Sequence, residues 1–288
     1  MKTVRVVVVG AGVIGFSTAV CVAEALPFCS VTVLAEKFSP DTTSDGAAGI
    51  LFAAQFPDIS VERQRRWFKD SFDHLRAIAQ SQQSPEAGVM MSSGYQIFKD
   101  VPADPKPYWS DLVIGFRLMT DRELERFPGY KFGQAFTTVK CECSSYLPWL
   151  EKRFRKAGGK VQQRKVSSLH DLSDSYDLII NCSGLGSRTL TDDPQVDDGD
   201  TRSILERCSR LEPSLSRARV LSKWVGLRPG RRNPRLEREL VQPRGRKVPV
   251  VHNYGHGGWG VTLAWGSALD ALGLVRQCLH EMPPQAKL

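Results

Sequence analysis

Val4-Arg5-Val6-Val7-Val8-Val9-Gly10-Ala11-Gly12-Val13-Ile14-Gly15 opens the chain and decides its fold class. A continuous β-branched run is the pattern of a parallel strand buried on both faces, and here it breaks at Gly10. From Gly15 to about Leu26 the residues have helical character, and Pro27 stops them. Ser30–Ala35 is a second short apolar strand, completing a βαβ unit. The G-x-G-x-x-G string lies where the first strand passes into the helix. There the first glycine makes the tight turn, the second lets backbone approach a pyrophosphate, and the third lets helix pack on strand. The phosphates then meet the positive helix N-terminus. Glu36 closes the second strand, where an acidic side chain accepts hydrogen bonds from a ribose. The chain is expected to bind a dinucleotide.

The 288 residues, 41% hydrophobic and 24% charged, suffice for one large domain or two interleaved ones, and exclude collagen-like, low-complexity and disordered classes. No apolar run reaches the roughly 18 residues of a membrane span, and Val6–Val9 is too short for a signal-peptide core. A soluble intracellular protein with no membrane partner is expected. The seven cysteines are an odd number whose one close pair is Cys141-Glu142-Cys143. They read as reduced, mostly buried thiols, with neither a disulfide framework nor a metal site. The net charge of +8 is concentrated in residues 201–250, where fourteen Arg and Lys face four Glu. These arginines are not interleaved with aromatics, so nucleic acid is not expected. A basic binding surface is the reading from another class, and salt-dependent retention on heparin would mark it.

The middle of the chain changes character. Val61–Ala79 carries Trp67, Phe68, Phe72, Leu75 and Ile78 at helical spacing, and these are expected in the core. Gly94–Phe98 and Phe136–Val139 read as strands of a different layer, separated by a loop with Pro102, Pro105 and Pro107. Tyr146–Lys156 is helical, and Lys160–Val166 and Asp177–Asn181 are strands returning to the first sheet. Beyond Ser187, Ser203–Leu211 reads as helix, Val225–Leu227 and Val248–His252 as strands, and Gly266–Cys278 as the closing helix. Two further glycine-rich turns, Ile180–Gly186 and Tyr254–Gly260, offer bare backbone to a large flat cofactor. Three such turns spread along the chain suit FAD better than a nicotinamide dinucleotide.

Six motifs then occur in one order: Asp41–Gly49, Phe132–Phe136, Cys141–Leu150, Asn181–Gly184, Val225–Pro229 and Tyr254–Gly257. In this the chain resembles the FAD-dependent D-amino-acid oxidase family, in particular its branch that acts on acidic substrates. The resemblance implies an α/β fold: a Rossmann-like FAD-binding domain of discontinuous segments, with an inserted, truncated α+β substrate domain. The FAD-binding segments would be 1–55, 135–190 and 235–285, and the reduced substrate domain 56–134 and 191–234. FAD contacts carry over to Gly10, Gly12 and Gly15 at the phosphates and to Glu36 and Lys37 at the adenosine side. Thr43, Ser44 and Ile50 follow the second strand, Val166 and Ser183 match backbone positions, and Gly257, Val261 and Thr262 lie at the flavin end. Glu36 replaces the aspartate more usual in this branch. Arg228 matches the arginine that forks onto the substrate α-carboxylate, and Gly258 lies beside it in the substrate site. His256 matches no base, because hydride transfer needs none, and is expected to pack or to position backbone.

The reaction so implied is oxidative deamination of an acidic D-amino acid with molecular oxygen, giving an oxo acid, ammonia and hydrogen peroxide. The chain departs from the family between Asp192 and Arg202, where an acidic loop replaces a far longer segment. That segment carries central strands of the substrate-domain sheet, an active-site tyrosine and a second cation for the substrate side chain. Its loss is expected to leave unpaired strand edges. Arg231 or Arg232 is the candidate replacement cation, and the alternative is a shortened oxidase-like chain that keeps FAD with little or no activity. Trp259 is also unusual in its turn, where it either crowds the flavin or fills vacated space. The final Ala286-Lys287-Leu288 resembles the S-K-L address, implying a peroxisomal import receptor as partner and the peroxisomal matrix as location.

Overall fold

Val6, Val7, Val8 and Val9 are buried because both faces of their strand are covered. In the computed structural model, which describes residues 3–191, 208, 211–217, 226–242 and 245–282, that strand is β1 (Val4–Val9). Val6 and Val8 face the main core, and Val7 and Val9 face a smaller cluster that includes Leu169, Leu172, Ile179 and Val250. Helix α1 (Val13–Ala25) follows at once and ends at Leu26, before Pro27. Strand β2 (Cys29–Ala35) then lies parallel beside β1.

Three more elements extend this sheet along parallel lines: β6 (Lys160–Gln163) beside β2, β7 (Leu178–Asn181) on the other side of β1, and β9 (Val248–His256) beyond β7. Strand β8 (Gly230–Val241) closes the edge antiparallel to β9, so the order is β6-β2-β1-β7-β9-β8. The last helix, α7 (Gly260–Glu281), packs on α1 and on α2 (Val61–Ala79). A second, antiparallel sheet has the order β3-β5-β4, from β3 (Val89–Phe98), β4 (Ile114–Leu118) and β5 (Phe132–Cys141). Between them come one-turn helices α3 (Ser84–Ala87) and α4 (Asp121–Leu124), then α5 (Cys143–Lys156) and the one-turn α6 (Ser187–Leu190).

The parallel βαβ order agrees with the expected fold class, and several boundaries differ. Strand β5 begins at Phe132 and pairs only in the small sheet, so the segment limit expected at 135 falls inside a strand. Strand β8 was not expected, and it carries 230–234 into the six-stranded sheet. Gly226 and Leu227 form no strand, and Val225 lies outside the described residues. Tyr254–His256 are strand, not turn, and β6 stops three residues short of Val166. Most of the helix expected over Ser203–Leu211, the acidic loop Asp192–Asp200 and Ala286-Lys287-Leu288 also lie outside the described residues. Among the described residues all cysteines are free, Cys29 and Cys208 alone not fully buried, and no helix is long and apolar enough to cross a membrane.

Helix α2 joins the two sheets. Trp67, Phe68 and Phe72 are buried on it, with Phe68 stacked on Trp109 and Trp109 edge-on to Phe136 of β5. On its other side a Cβ at Gly266 of α7 would collide with the Trp67 backbone, so the two helices touch at main-chain distance. Gly266→Ala is therefore expected to destabilise the protein by about 1–3 kcal/mol through forced separation of α2 and α7. Thermal unfolding followed by circular dichroism checks this, and a midpoint unchanged from the wild type contradicts it.

Candidate functional site

Five parallel strands end on one side of the main sheet, and the residues singled out in the sequence follow their ends in order. Val166 comes after β6, Glu36 and Lys37 after β2, Gly10 to Gly15 after β1, Ser183 after β7, and Gly257 to Thr262 after β9. At about 4.8 Å per strand, this row spans roughly 19 Å along the carboxyl edge, where open α/β sheets bind ligands. An extended dinucleotide has that shape.

The centre of the row is bare backbone. Gly10 has φ +114°, and a Cβ there would collide with the Cys182 carbonyl oxygen after β7. A Cβ at Gly15 would collide with the Gly10 carbonyl oxygen, so the first turn of α1 sits hard against the strand end. Gly12 is the N-cap residue of α1 and supplies no side-chain cap. Of the first amides, Val13 N–H donates to Ser44 Oγ at 3.0 Å, which places the 43–46 turn beside the glycines. The start of α7 is likewise without a side-chain cap. Two positive helix ends thus stand at the ends of β1 and β9, flanking the Ser183 turn.

The outer positions are less uniform. Glu36 is exposed, with Lys165 Nζ 3.5 Å from its carboxylate, and Gln163 Nε2 donates to its carbonyl at 3.0 Å. Ile50 is 41% exposed, bridged to Lys140 where the small sheet meets the row. Val261 and Thr262 are buried, and the Thr262 hydroxyl donates to the Phe52 carbonyl at 3.1 Å, so a ligand meets their backbone rather than their side chains. Trp259 packs edge-on against Phe52 with ring centroids 5.3 Å apart. His256 is buried with both ring nitrogens unpartnered, and burial pushes its pKa down to about 4, so it is a neutral imidazole at pH 7.

The antiparallel β8 brings a further group to this edge. Gly230 is opposite His256, so Arg228 and Pro229, just before β8, stand at the β9 end of the row. Gly257 N–H donates to the Pro229 carbonyl at 3.1 Å, and a Cβ at Gly258 would lie 3.6 Å from Arg228 Cδ and Nε. The two expected substrate positions are therefore adjacent. No described residue pairs with the Arg228 guanidinium, which is exposed at the rim.

Its neighbours are engaged elsewhere. Arg232 forks onto Asp58 at 2.7 and 3.2 Å, holding that carboxyl below the usual range by hydrogen bonding. Arg231 donates to the Asn233 carbonyl at 3.0 Å and lies over the Tyr254 ring. The expectation that one of them replaces a lost cation does not match these commitments. Residues that the sequence reading gave no role also shape the site: Pro229, whose carbonyl pins the Gly257 turn, and Asn181, which accepts from Ser183. Both lie in motifs quoted from the sequence, but their work is done by backbone and amide geometry, which the motifs alone do not reveal.

Comparison with known proteins agrees with this geometry. The family described as FAD dependent oxidoreductase (DAO) matches residues 5–193 and 189–271, two stretches that meet beside the acidic loop. Human D-aspartate oxidase is 43% identical over 332 aligned residues, covering 98% of this chain and 97% of that protein. Because 332 exceeds 288, at least 44 aligned positions have no residue of this chain. A D-amino-acid oxidase from Rubrobacter xylanophilus is 34% identical over 96% of this chain and 97% of its own length. Among solved structures, glycine oxidase from Geobacillus kaustophilus superposes with TM-score 0.69 at 17% identity, over 99% of this chain and 97% of that one, a likeness of fold.

The glycine cradle, whose backbone approach any Cβ would block, and the two uncapped helix starts fit FAD. Gly10→Ala combines a strained φ with a backbone collision, together worth about 1–3 kcal/mol at the cradle, and is expected to weaken FAD binding roughly ten- to hundredfold. Quenching of flavin fluorescence on titration measures this; wild-type affinity in the variant would place the phosphates elsewhere.

Proposed function

The chain belongs to the FAD-dependent oxidoreductase family, and from that premise we propose that it oxidatively deaminates D-amino acids, with acidic ones such as D-aspartate preferred. It is an enzyme with FAD as cofactor. When bound, FAD would supply the acceptor for the substrate Cα hydride; oxygen would take up the two electrons with two protons as hydrogen peroxide, and water would hydrolyse the imino acid to the oxo acid and ammonia. Gly10, Gly12 and Gly15 hold the phosphates on the α1 amides, and Glu36 and Lys37, with Val166, serve the adenosine side. Thr43, Ser44 and Ile50 border the same groove, and Ser183, Gly257, Val261 and Thr262 offer backbone to the flavin end.

The observation that carries the substrate reading is Arg228, a guanidinium with no partner among the described residues, at the β9 end of the row. A planar fork receives a carboxylate through two parallel hydrogen bonds and so fixes its orientation, and with it that of the attached Cα. Orientation is the protein's main contribution where the cofactor carries the chemistry. Gly258 lies directly beside the Arg228 side chain, where a Cβ would be in ordinary contact with it at 3.6 Å. Burial lowers the His256 pKa to about 4, which makes its neutral ring a weak base at pH 7. The preference for acidic substrates rests on the 43% identity to human D-aspartate oxidase.

A second reading is favoured by the 44 or more unmatched positions and by the engagement of Arg231 and Arg232: the chain holds FAD but turns over little. One experiment separates the two. D-aspartate added without oxygen to the flavin-loaded protein is expected to bleach its visible band, with D-alanine slower. Arg228→Ala should keep the band and lose the bleaching, a drop of about a hundredfold or more for a bidentate charged contact. A wild-type band that D-aspartate leaves unbleached supports the second reading and overturns the first.

A further inference from the structure

Asn181, the last residue of β7, is fully buried, and both ends of its amide are committed. The Ser183 backbone N–H donates to Asn181 Oδ1 at 3.2 Å, and the Ser183 hydroxyl donates to the same atom at 2.7 Å. A backbone N–H only donates, so this end of the amide is the oxygen and the other is the NH2. That NH2 faces His252 Nδ1 of β9 at 3.2 Å. An amide NH2 also only donates, so Nδ1 carries the lone pair and the ring proton sits on Nε2. Glu239 Oε1 of β8 stands 3.0 Å from Nε2, not in line with the N–H but close enough to favour a proton there. A chain of contacts thus runs from Glu239, at the surface, through His252 and Asn181 to the Ser183 turn, which touches the Gly10 turn through Cys182.

We propose that His252 is a positioning residue for the cofactor: as a neutral ring protonated on Nε2 it fixes the Asn181 amide, and the amide fixes the Ser183 turn, which lies between the β1 and β9 ends of the row that would hold FAD. This rests on the FAD-site reading above. His252 does not itself meet the cofactor; it acts through two intermediates. A second ring proton would set Nδ1–H against the Asn181 NH2. Either the contact opens, or the amide rotates and presents its NH2 to the Ser183 N–H, which then loses its acceptor. The Ser183 hydroxyl can turn to Ser187 Oγ, 2.8 Å away, whereas the backbone N–H cannot turn.

Several groups set when that proton arrives. β8 presents Arg235, Glu237 and Glu239 to the ring, β9 the Tyr254 ring at 5.8 Å between centroids, and β7 the uncharged Asn181. Burial, and then Arg235, push the His252 pKa below its ordinary value, and Glu239 and Glu237 oppose them. The ring is accordingly neutral at pH 7 and charges only as the pH falls through the lowered pKa. FAD binding therefore weakens toward acid.

The test is FAD affinity of the full chain, read from flavin fluorescence between pH 8 and pH 5, with the thermal midpoint of each variant recorded beside it. For the wild type we expect roughly tenfold weaker binding at the acid end, the equivalent of one hydrogen bond. His252→Asn places an amide oxygen where Nδ1 was and cannot take up the proton. It is expected to bind within about threefold of wild type at pH 8 and to lose the acid weakening. His252→Leu is expected to bind about tenfold more weakly at every pH. Glu239→Gln removes a carboxylate that favours the charged ring, so the weakening moves to lower pH. Acid weakening that persists in His252→Asn overturns the proposal, as does wild-type behaviour of His252→Leu. Should His252→Leu not fold, the His252→Asn profile decides. A wild type that takes up no FAD at any pH overturns the site reading itself, whereas tight, pH-independent uptake overturns only the role of His252.

Discussion

The contact on which the site depends is between two stretches of main chain. The Gly10 turn and the Cys182 carbonyl lie so close that no side chain fits between them. This contact sets the ends of β1 and β7 side by side and opens the start of α1 toward the groove. It also explains why glycine recurs where it does. Gly15 packs the helix onto the same turn, and Gly257 meets the carbonyl before β8. A parallel sheet of modest size then orders the remaining contacts, because each strand delivers its next residues to one edge.

Much of that sheet was legible because buried parallel strands are written as unbroken apolar runs. Val4–Val9, Ser30–Ala35 and Asp177–Asn181 announce themselves in this way. Strand β8 does not. Its residues 230–241 hold Arg231, Arg232, Arg235, Glu237, Arg238 and Glu239, and only Pro234 is apolar alongside Leu236, Leu240 and Val241. It is an edge strand whose faces are satisfied by ion pairs, so no period of two in hydrophobicity survives. Strand β4 was hidden for a related reason, being five residues long and mostly exposed. In the site, the glycine turns could be read from residue type and order, whereas Arg228 stood out only through the family resemblance. The link between Asn181 and His252 could not, because it depends on which atom of each ring or amide carries a hydrogen.

The basic stretch changes meaning once it is folded. Arg232 pairs with Asp58, Arg235 with Glu237 and Glu239, Arg238 with Glu281, and Arg246 with Asp177, which Arg5 also holds. Each exposed pair contributes little, on the order of 0–1 kcal/mol. Together they fasten the edge strand to the loop before α2, to the end of α7 and to the foot of β7. Among the described residues of this charge cluster, Arg232, Arg235, Arg238 and Arg246 serve as internal fastenings. Against that background Arg228 differs in standing at the rim of the groove with no partner among the described residues.

The two sheets differ in how completely their own chain finishes them. The six-stranded sheet has helices over one face and the Leu169–Leu172 turn over the other, and its cofactor edge is built wholly from described residues. The three-stranded sheet ends in β3 and β4, whose outer edges pair with no described strand, and Met90, Tyr95, Ile114 and Leu118 on them are exposed. The family match divides at residues 189–193, next to α6, and at least 44 positions of the alignment with human D-aspartate oxidase have no residue of this chain. The two sheets thus differ in how far the described residues complete them. The two remain coupled through α2, which packs on α7 at Gly266 and carries Phe68 against Trp109 below β5. Loosening of the small sheet would reach the cofactor groove along that path, through the helix whose first turn supports Val261 and Thr262.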